Sequence, residues 1–468
     1  MISAEHIKST FESQQRAFGP LAVKDRLRHL SDIKNWITTH KQEIVDAHFK
    51  DLSKPESEVE LAEIWYVMSE IKLAKRNLRQ WMSPKRKGLS TLALLPAQAW
   101  VHTEPKGVVL IISPWNFPFN LTVGPLVSAL AAGNRVMIKP SEITPKVSTL
   151  IEKMVTDLFE PNHVVVFQGD AETSRSLLEL PFHHIFFTGS SAIGKIVMSA
   201  AAKHLSSVTL ELGGKSPTII DDTAHLDMTV KKLTWGKCIN AGQSCIAPDY
   251  VLVHHSVKDA FILKLSNRLN DVFGSTIEAK IASPDFGRIV NSHHWNRVNT
   301  MLETAIQEGA TIAHGGGKNE ENKFIETTLL DNVTPDMKIM EKEIFGPLLP
   351  ILSFEDIDEC LSIINARHKP LTLYMFSNSK KNINKVIQNT SSGGMVINEI
   401  NSHFLNLELP FGGVNASGFG RSHGYEGFRS FSNERTMLKN GRLSQIGLIF
   451  PPYTKWTKKM IRFVTRFL

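Results

Sequence analysis

The sequence predicts an α/β fold built from two wound, largely parallel sheets, and three observations carry that expectation. From residue 107 onward, apolar strand-like runs alternate with helical stretches at 108–112, 121–132, 136–139, 146–159, 164–167 and 184–188. A parallel sheet with helices on both faces produces such alternation. A second alternating series runs from 216 to 398, with strand-like 250–253, 348–353 and 372–376 and a long helical stretch around 284–308. Finally, 468 residues exceed what one core fills, since single cores stop growing at roughly 250 to 300 residues.

Taken in order, residues 1–81 read as helices, with apolar positions at helical spacing in 27–49 and 59–81. Around 83–106 the pattern changes to short β-like pieces among basic and proline residues, a projecting hairpin or linker. The first alternating series then supplies a nucleotide-type sheet, with a ligand site expected near its strand ends. Glu211-Leu-Gly-Gly-Lys215 lies between the two series, so a site at their junction would be an inter-domain cleft. No internal repeat of solenoid period is present.

Composition narrows the function classes. Hydrophobic content of 42% and charged content of 21% describe a globular protein without biased tracts. The net charge of +7 would suggest nucleic acid if it lined a face, but Lys455, Lys458, Lys459, Arg462 and Arg466 lie in 451–468 with no acid, leaving only +2 for the rest. No nucleic-acid partner is expected. Three cysteines, Cys238, Cys245 and Cys360, form no Cys-x-x-Cys pair and no disulfide framework, and no metal site is expected. Glu5, Lys8 and Glu12 stand where a signal peptide needs an apolar core, and no run reaches the roughly 18 apolar residues of a membrane span, so a cytoplasmic protein is expected.

In Gly242-Gln-Ser-Cys245 a glycine permits a sharp backbone course just before a thiol, where backbone amides can face whatever the sulfur attacks. Read alone, Cys245 is better explained as a small core residue. It has company. Pro114-Trp-Asn116-Phe-Pro, Lys139-Pro-Ser-Glu142, Phe187-Thr-Gly-Ser190 with Gly194, Glu211-Leu-Gly-Gly-Lys and Glu343-Ile-Phe-Gly-Pro occur in the same chain, as does a late Pro410-Phe-Gly-Gly413. With these motifs the chain resembles the aldehyde dehydrogenase superfamily from about residue 27 to beyond 413. The short N-terminus, the decapeptide 208–217 and the late His423-Gly look most like its class-three and fatty-aldehyde branch.

The resemblance implies a Rossmann-like doubly wound coenzyme domain (1–82 and 104–211), a second α/β catalytic domain (212–399), and a small β oligomerisation arm bridging subunits of a homodimer (83–103 and about 400–430). A C-terminal tail follows at 440–468. It also implies oxidation of an aromatic or medium- to long-chain aldehyde to the acid through a Cys245 thiohemiacetal and thioester. Asn116 and the Cys245 N–H would hold the oxyanion, and Glu211 would activate water. The chemistry needs such help: a free thiol with a pKa of about 8.5 is only a few per cent ionised at neutral pH, and losing one oxyanion donor costs about 3 to 4 kcal/mol. A CoA-acylating relative and an inactive binding homologue are the alternatives; Glu211 argues against the first, and Cys245, Asn116 and Glu211 together argue against the second.

For the cofactor, Gly189-Ser-Ser-Ala-Ile-Gly194 joins a strand-like run to a helical one, with Ser190 a natural N-cap whose helix offers free amides to a pyrophosphate. The spacing is not G-x-G-x-x-G, so the pattern alone is an even match to an ordinary turn. The family places equivalents of Lys139 and Glu142 on the adenosine ribose; a carboxylate there repels a 2′-phosphate and favours NAD, with NADP left open. Glu343 is implied as a ligand of the nicotinamide ribose, with Phe345 and Trp115 in the cofactor set.

Other features have plainer explanations. The His-His pairs starting at His183, His254 and His293 lack metal spacing and are expected on surface loops, as is Gly315-Gly-Gly317; Cys238 is expected to pack on a helix. Asn415 stands where the family usually has glycine, and Asn tolerates the left-handed backbone such a turn needs. In the tail, Trp456, Met460, Phe463, Val464 and Phe467 share one helical stripe, beside a basic stripe of Lys455, Lys459, Arg462 and Arg466. That pattern suits a helix lying in an anionic membrane interface, and equally one docked over the substrate entrance.

Overall fold

The computed structural model describes residues 3–90, 94, 97–441, 447 and 450–466. The strand Val108–Ile112 is buried throughout and its side chains alternate between two cores. Val109 and Ile111 face one; Val108, Leu110 and Ile112 face the other. An apolar run covered on both faces must divide this way, because successive strand side chains point to opposite sides. Helices Val23–Thr39, Tyr66–Met82, Asn120–Ala132 and Pro145–Leu158 cover the first face, and Ala4–Ala17, Ala171–Leu178 and Ser191–His204 the second.

Five parallel strands lie side by side in the order Ser207–Leu212, His184–Gly189, Val108–Ile112, Arg135–Lys139 and Val164–Val166, with Gly418–Phe419 added antiparallel beside the first. The chain starts in the middle of this sheet, builds to one edge, then returns to build the other. The switch falls between Val108–Ile112 and His184–Gly189, where wound sheets open a crevice at the carboxyl ends of their strands. A second sheet has the order Thr311–His314, Thr328–Asp331, Leu348–Phe354, Tyr250–His254, Pro217–Ile220, Thr372–Phe376 and Gly394–Ile397, parallel except for its first pair. The expected wound α/β fold is the observed one.

Lys85–Lys87, Gln98–Pro105 and Ser432–Lys439 form a separate antiparallel sheet, mostly exposed, in which Ser432–Lys439 is an edge. Its third strand comes from 432–439, after the 400–430 segment expected for the arm. Residues 402–430 instead return to the crevice as Ser402–Leu405, Gly418–Phe419 and Gly424–Ser430. The histidine pairs are not all on surface loops either: His184 opens a buried strand, and His293 and His294 lie on the helix Ser292–Gln307.

The tail forms the helix Lys455–Arg466. Thr457 is buried and Met460 and Ile461 half-buried, whereas Trp456 and Phe463 are 55% and 61% exposed. Helical geometry puts these two aromatics between the covered side and the basic side. Phe467, expected on the same stripe, lies outside the described residues.

Candidate active site

The turn carrying Cys245 is set by backbone geometry. After the helix Leu226–Cys238, residues Asn240, Ala241 and Gly242 take positive φ values of 50°, 52° and 72°. Left-handed backbone is costly for ordinary residues. At Gly242 a side chain is also excluded, because a Cβ would stand 2.4 Å from the Gly346 carbonyl oxygen. Gln243 locks the turn: its Nε2 donates to the Asn240 and Arg288 carbonyls at 2.9 Å each, and its Oε1 accepts from Val290 N–H at 3.0 Å. Beyond the thiol, the Tyr374 hydroxyl lies 2.7 Å from the Ile246 carbonyl and 2.9 Å from Asn401 Oδ1. Cys245 is thereby held half-buried, while Cys238 and Cys360 are buried, Cys238 with its sulfur 3.3 Å from Thr327 Oγ1.

Asn116 follows the strand Val108–Ile112 and is buried. Its Nδ2 donates to the Gln243 carbonyl at 3.1 Å, and its own carbonyl accepts from Asn240 Nδ2 at 2.8 Å and Lys54 Nζ at 2.9 Å. Two of these bonds tie Asn116 directly to the Cys245 turn. An amide nitrogen carries two hydrogens, so one remains for another acceptor.

Glu211 sits near the carboxyl end of Ser207–Leu212 and is buried. Ser422 Oγ donates to its Oε1 at 3.0 Å, while Oε2 has no partner among the described residues. Burial pushes the Glu211 carboxyl up to about 8, against the pull of the Ser422 hydrogen bond and the Arg421 charge. Glu343 lies against Gly213, where a Cβ would stand 2.1 Å from its Oε2, and its Oε1 is also unpartnered among the described residues. Burial, then the charge of Asp249, raises Glu343 to about 8. The Cys245 thiol is pushed well above its ordinary value by burial and next by Glu343 and Glu211. Charged forms are penalised throughout, so the resting site favours neutral groups near pH 7.

Beside Cys245 and Glu211 lies a cleft whose empty volume is about 1050 Å³, open solvent at its mouth included. Cys245 and Glu211 share it with apolar walls that include Leu61, Tyr66, Phe117, Leu121, Trp235 and Phe404. No lysine or arginine lines it among the described residues.

Of the expected cofactor residues, Trp115, Lys139, Glu142, Gly189, Ser190 and Gly194 follow or end strands of the first sheet, whereas Glu343 and Phe345 lie on the loop that leads into Leu348–Phe354 of the second. Ser190 caps Ser191–His204, its Oγ accepting from Ile193 N–H at 3.4 Å. A Cβ at Gly194 would stand 2.7 Å from the Leu212 side chain, so glycine permits the close approach of helix to strand. Lys139 ends its strand, and its ammonium pairs with Glu142 at 2.5 Å. Trp115 packs edge-on to Phe345 with ring centres 5.3 Å apart and lies 4.9 Å from His294. Lys215 fastens the Glu343 loop, binding Asp249 at 2.5 Å and the Ile339 and Lys342 carbonyls at 2.8 and 3.0 Å, while Asp249 accepts from Ile344 N–H at 2.9 Å. These residues fit a dinucleotide: a capped helix start supplies amides, and Glu343 has an unpaired, buried acceptor. Among the described residues no group of three His, Cys, Asp or Glu side chains is placed to hold a metal ion.

Sequence reasoning did not single out Ser422, Lys54, Glu63 or Tyr374. Ser422 directly precedes His423-Gly and could have been found from it; the other three carry no local signal.

The chain matches the aldehyde dehydrogenase family over residues 2–437. It is 42% identical over 451 residues to the 4,4'-diaponeurosporen-aldehyde dehydrogenase of Staphylococcus aureus, covering 96% of each chain. To aldehyde dehydrogenase family 3 member A2 of Pongo abelii it is 42% identical over 416 residues, covering 89% of this chain and 84% of that one. The solved substrate-bound state of Staphylococcus aureus AldH shares its fold with a TM-score of 0.93 at 41% identity, covering 98% of this chain and 99% of that one. Matched over nearly its whole length in both sequence and fold, the chain belongs to the aldehyde dehydrogenase family, and its reaction is NAD(P)+-dependent aldehyde oxidation.

Proposed function

We propose that Cys245 is the nucleophile, Asn116 and the Cys245 N–H the oxyanion donors, and Glu211 the general base. One observation carries this reading: Cys245 and Glu211 line a single apolar cleft, with Asn116 bonded into the turn that holds the thiol. Sulfur attacks the aldehyde carbon as the thiol gives up its proton to solvent water, and the new oxyanion takes the free Asn116 N–H and the Cys245 N–H. Bound NAD(P)+ supplies the hydride acceptor and a positive charge. Glu211 then takes a proton from the water that attacks the thioester, releasing the carboxylic acid and the free thiol. Ser190, Gly189 and Gly194 would hold the pyrophosphate, Lys139 and Glu142 the adenosine ribose, and Glu343, Phe345 and Trp115 the nicotinamide side.

The substrates are uncharged aromatic or medium- to long-chain aldehydes, because the cleft is apolar and among the described residues offers an anionic group no cationic partner. A panel of such aldehydes with NAD+ and NADP+, with products analysed with and without CoA, tests this. Acids formed without CoA from apolar aldehydes are expected; a preference for charged short aldehydes, or acyl-CoA as the product, would overturn it.

The protein acts in the cytoplasm as a homodimer bridged by the exposed edge strand Ser432–Lys439, whose open backbone groups invite pairing. The terminal helix touches anionic membranes with Trp456, Phe463 and its basic side. No helix among the described residues is long and apolar enough to cross a membrane. Truncation after Pro452 that left both liposome binding and long-chain activity unchanged would defeat the role given to this helix.

A further inference from the structure

Lys54 has no exposed surface, and neither has Glu63, whose Oε1 it meets at 2.6 Å. Burying two charges is costly unless their remaining hydrogen-bonding capacity is used. Here it is used on one short segment. Lys54 Nζ also donates to the Asn116 carbonyl at 2.9 Å and sits 4.3 Å above the Phe117 ring. Glu63 Oε2 accepts the Asn120 backbone N–H at 2.8 Å, and His48 Nε2 lies 3.2 Å from Glu63 Oε1. Burial raises the Glu63 carboxyl, but the charges of Lys54 and His48 outweigh it and hold it down at about 2, so Glu63 is a carboxylate. Glu63 projects from a π-helical turn, Glu60–Trp65, a break in helix register of the kind found at functional sites.

We propose that Lys54 and Glu63 are a positioning pair for the oxyanion donor: the ammonium grips the carbonyl of Asn116, the carboxylate grips the amide of Asn120, and together they hold the turn bearing Asn116 against the Cys245 turn. This rests on the role given to Asn116 above. Neither residue touches substrate. Their contribution is to keep the free Asn116 N–H aimed where negative charge develops, which catalysis requires to within fractions of an ångström.

Lys54→Met alone would strand a buried carboxylate, so the test uses Lys54→Met/Glu63→Gln, which removes both charges and keeps an acceptor for Asn120. The readouts are the burst of NADH formation at saturating aldehyde, KM for the aldehyde, and the rate at which iodoacetamide alkylates Cys245, a reaction that forms no oxyanion. The burst is expected to slow about tenfold or more, with KM and alkylation within about twofold of the wild type. In an Asn116→Ala background the same double substitution should slow the burst less than about twofold, because the donor it positions is already gone. Equal slowing in both backgrounds, parallel loss of alkylation, an unchanged burst, or a double variant that does not fold would each overturn the proposal. If Asn116→Ala by itself leaves the burst intact, the oxyanion assignment has failed instead.

Discussion

Replacing Ser422 with alanine should move the pH dependence of thioester hydrolysis without touching the step that makes the thioester. Ser422 Oγ donates the hydrogen bond seen by Glu211 Oε1, at 3.0 Å, and this bond favours the charged carboxylate. Hydrogen bonds to charged groups contribute about 1.5 to 3 kcal/mol, and about 1.4 kcal/mol corresponds to one pKa unit. At the lower end, removal lifts Glu211 from about 8 towards roughly 9. The ionised fraction at pH 7 then falls from about one in ten to about one in a hundred, so deacylation slows about tenfold there and recovers as pH rises. Stopped-flow NADH formation separates the steps: the burst reports acylation, the later linear rate deacylation. The expected result is an unchanged burst amplitude and a linear rate whose inflection moves up by about one unit. An inflection that stays near the wild-type value would refute the assignment of that titration to Glu211.

Other outcomes follow from the same geometry. Glu211→Gln should keep the burst and lower steady-state turnover about 100-fold at pH 8, as loss of a general base does. Gly213→Ala places a methyl 2.1 Å from Glu343 Oε2, so cofactor KM should rise about tenfold while the thermal midpoint changes little; an unchanged KM would count against Glu343 as a cofactor ligand. Glu70 is raised by burial to about 7, so the folded state favours its neutral form, and the associated stability is present below about 4.5 and lost as pH rises through 7. Glu70→Gln keeps an acceptor for Gly424 N–H and the Tyr66 hydroxyl and cannot ionise. Its melting temperature relative to wild type should therefore climb between pH 5 and 8, by the equivalent of up to about 3 kcal/mol; a flat difference would contradict the burial argument.

The wound sheets were legible because strands such as 108–112 are apolar throughout and alternate with helices of ordinary length. Periodicity survives any packing detail. The Cys245 turn was legible only through its neighbours: Gly242 marks a bend, but nothing local says that Asn240 and Ala241 also turn left-handed. Lys54 and Glu63 carry no local signal, because burial of a charge depends on partners 50 or more residues away, Asn116 and Asn120. The third strand of the small sheet escaped for a similar reason. Ser432–Lys439 alternates weakly and is identified by its pairing with Gln98–Pro105, a contact made across most of the chain. His184 looked like half of a surface pair, yet its strand register turns it inward, where Nδ1 meets Ser207 Oγ at 2.9 Å.

The central claim is that the acyl group is carried on Cys245. Glu211→Gln mixed with a medium-chain aldehyde and NAD+ should accumulate the thioester long enough for mass spectrometry of the intact protein and its peptides. One acyl group per chain, on the peptide containing Cys245 and absent without NAD+, is the predicted result. NADH formed with no acyl adduct, or an adduct on Cys238 or Cys360, would contradict the account.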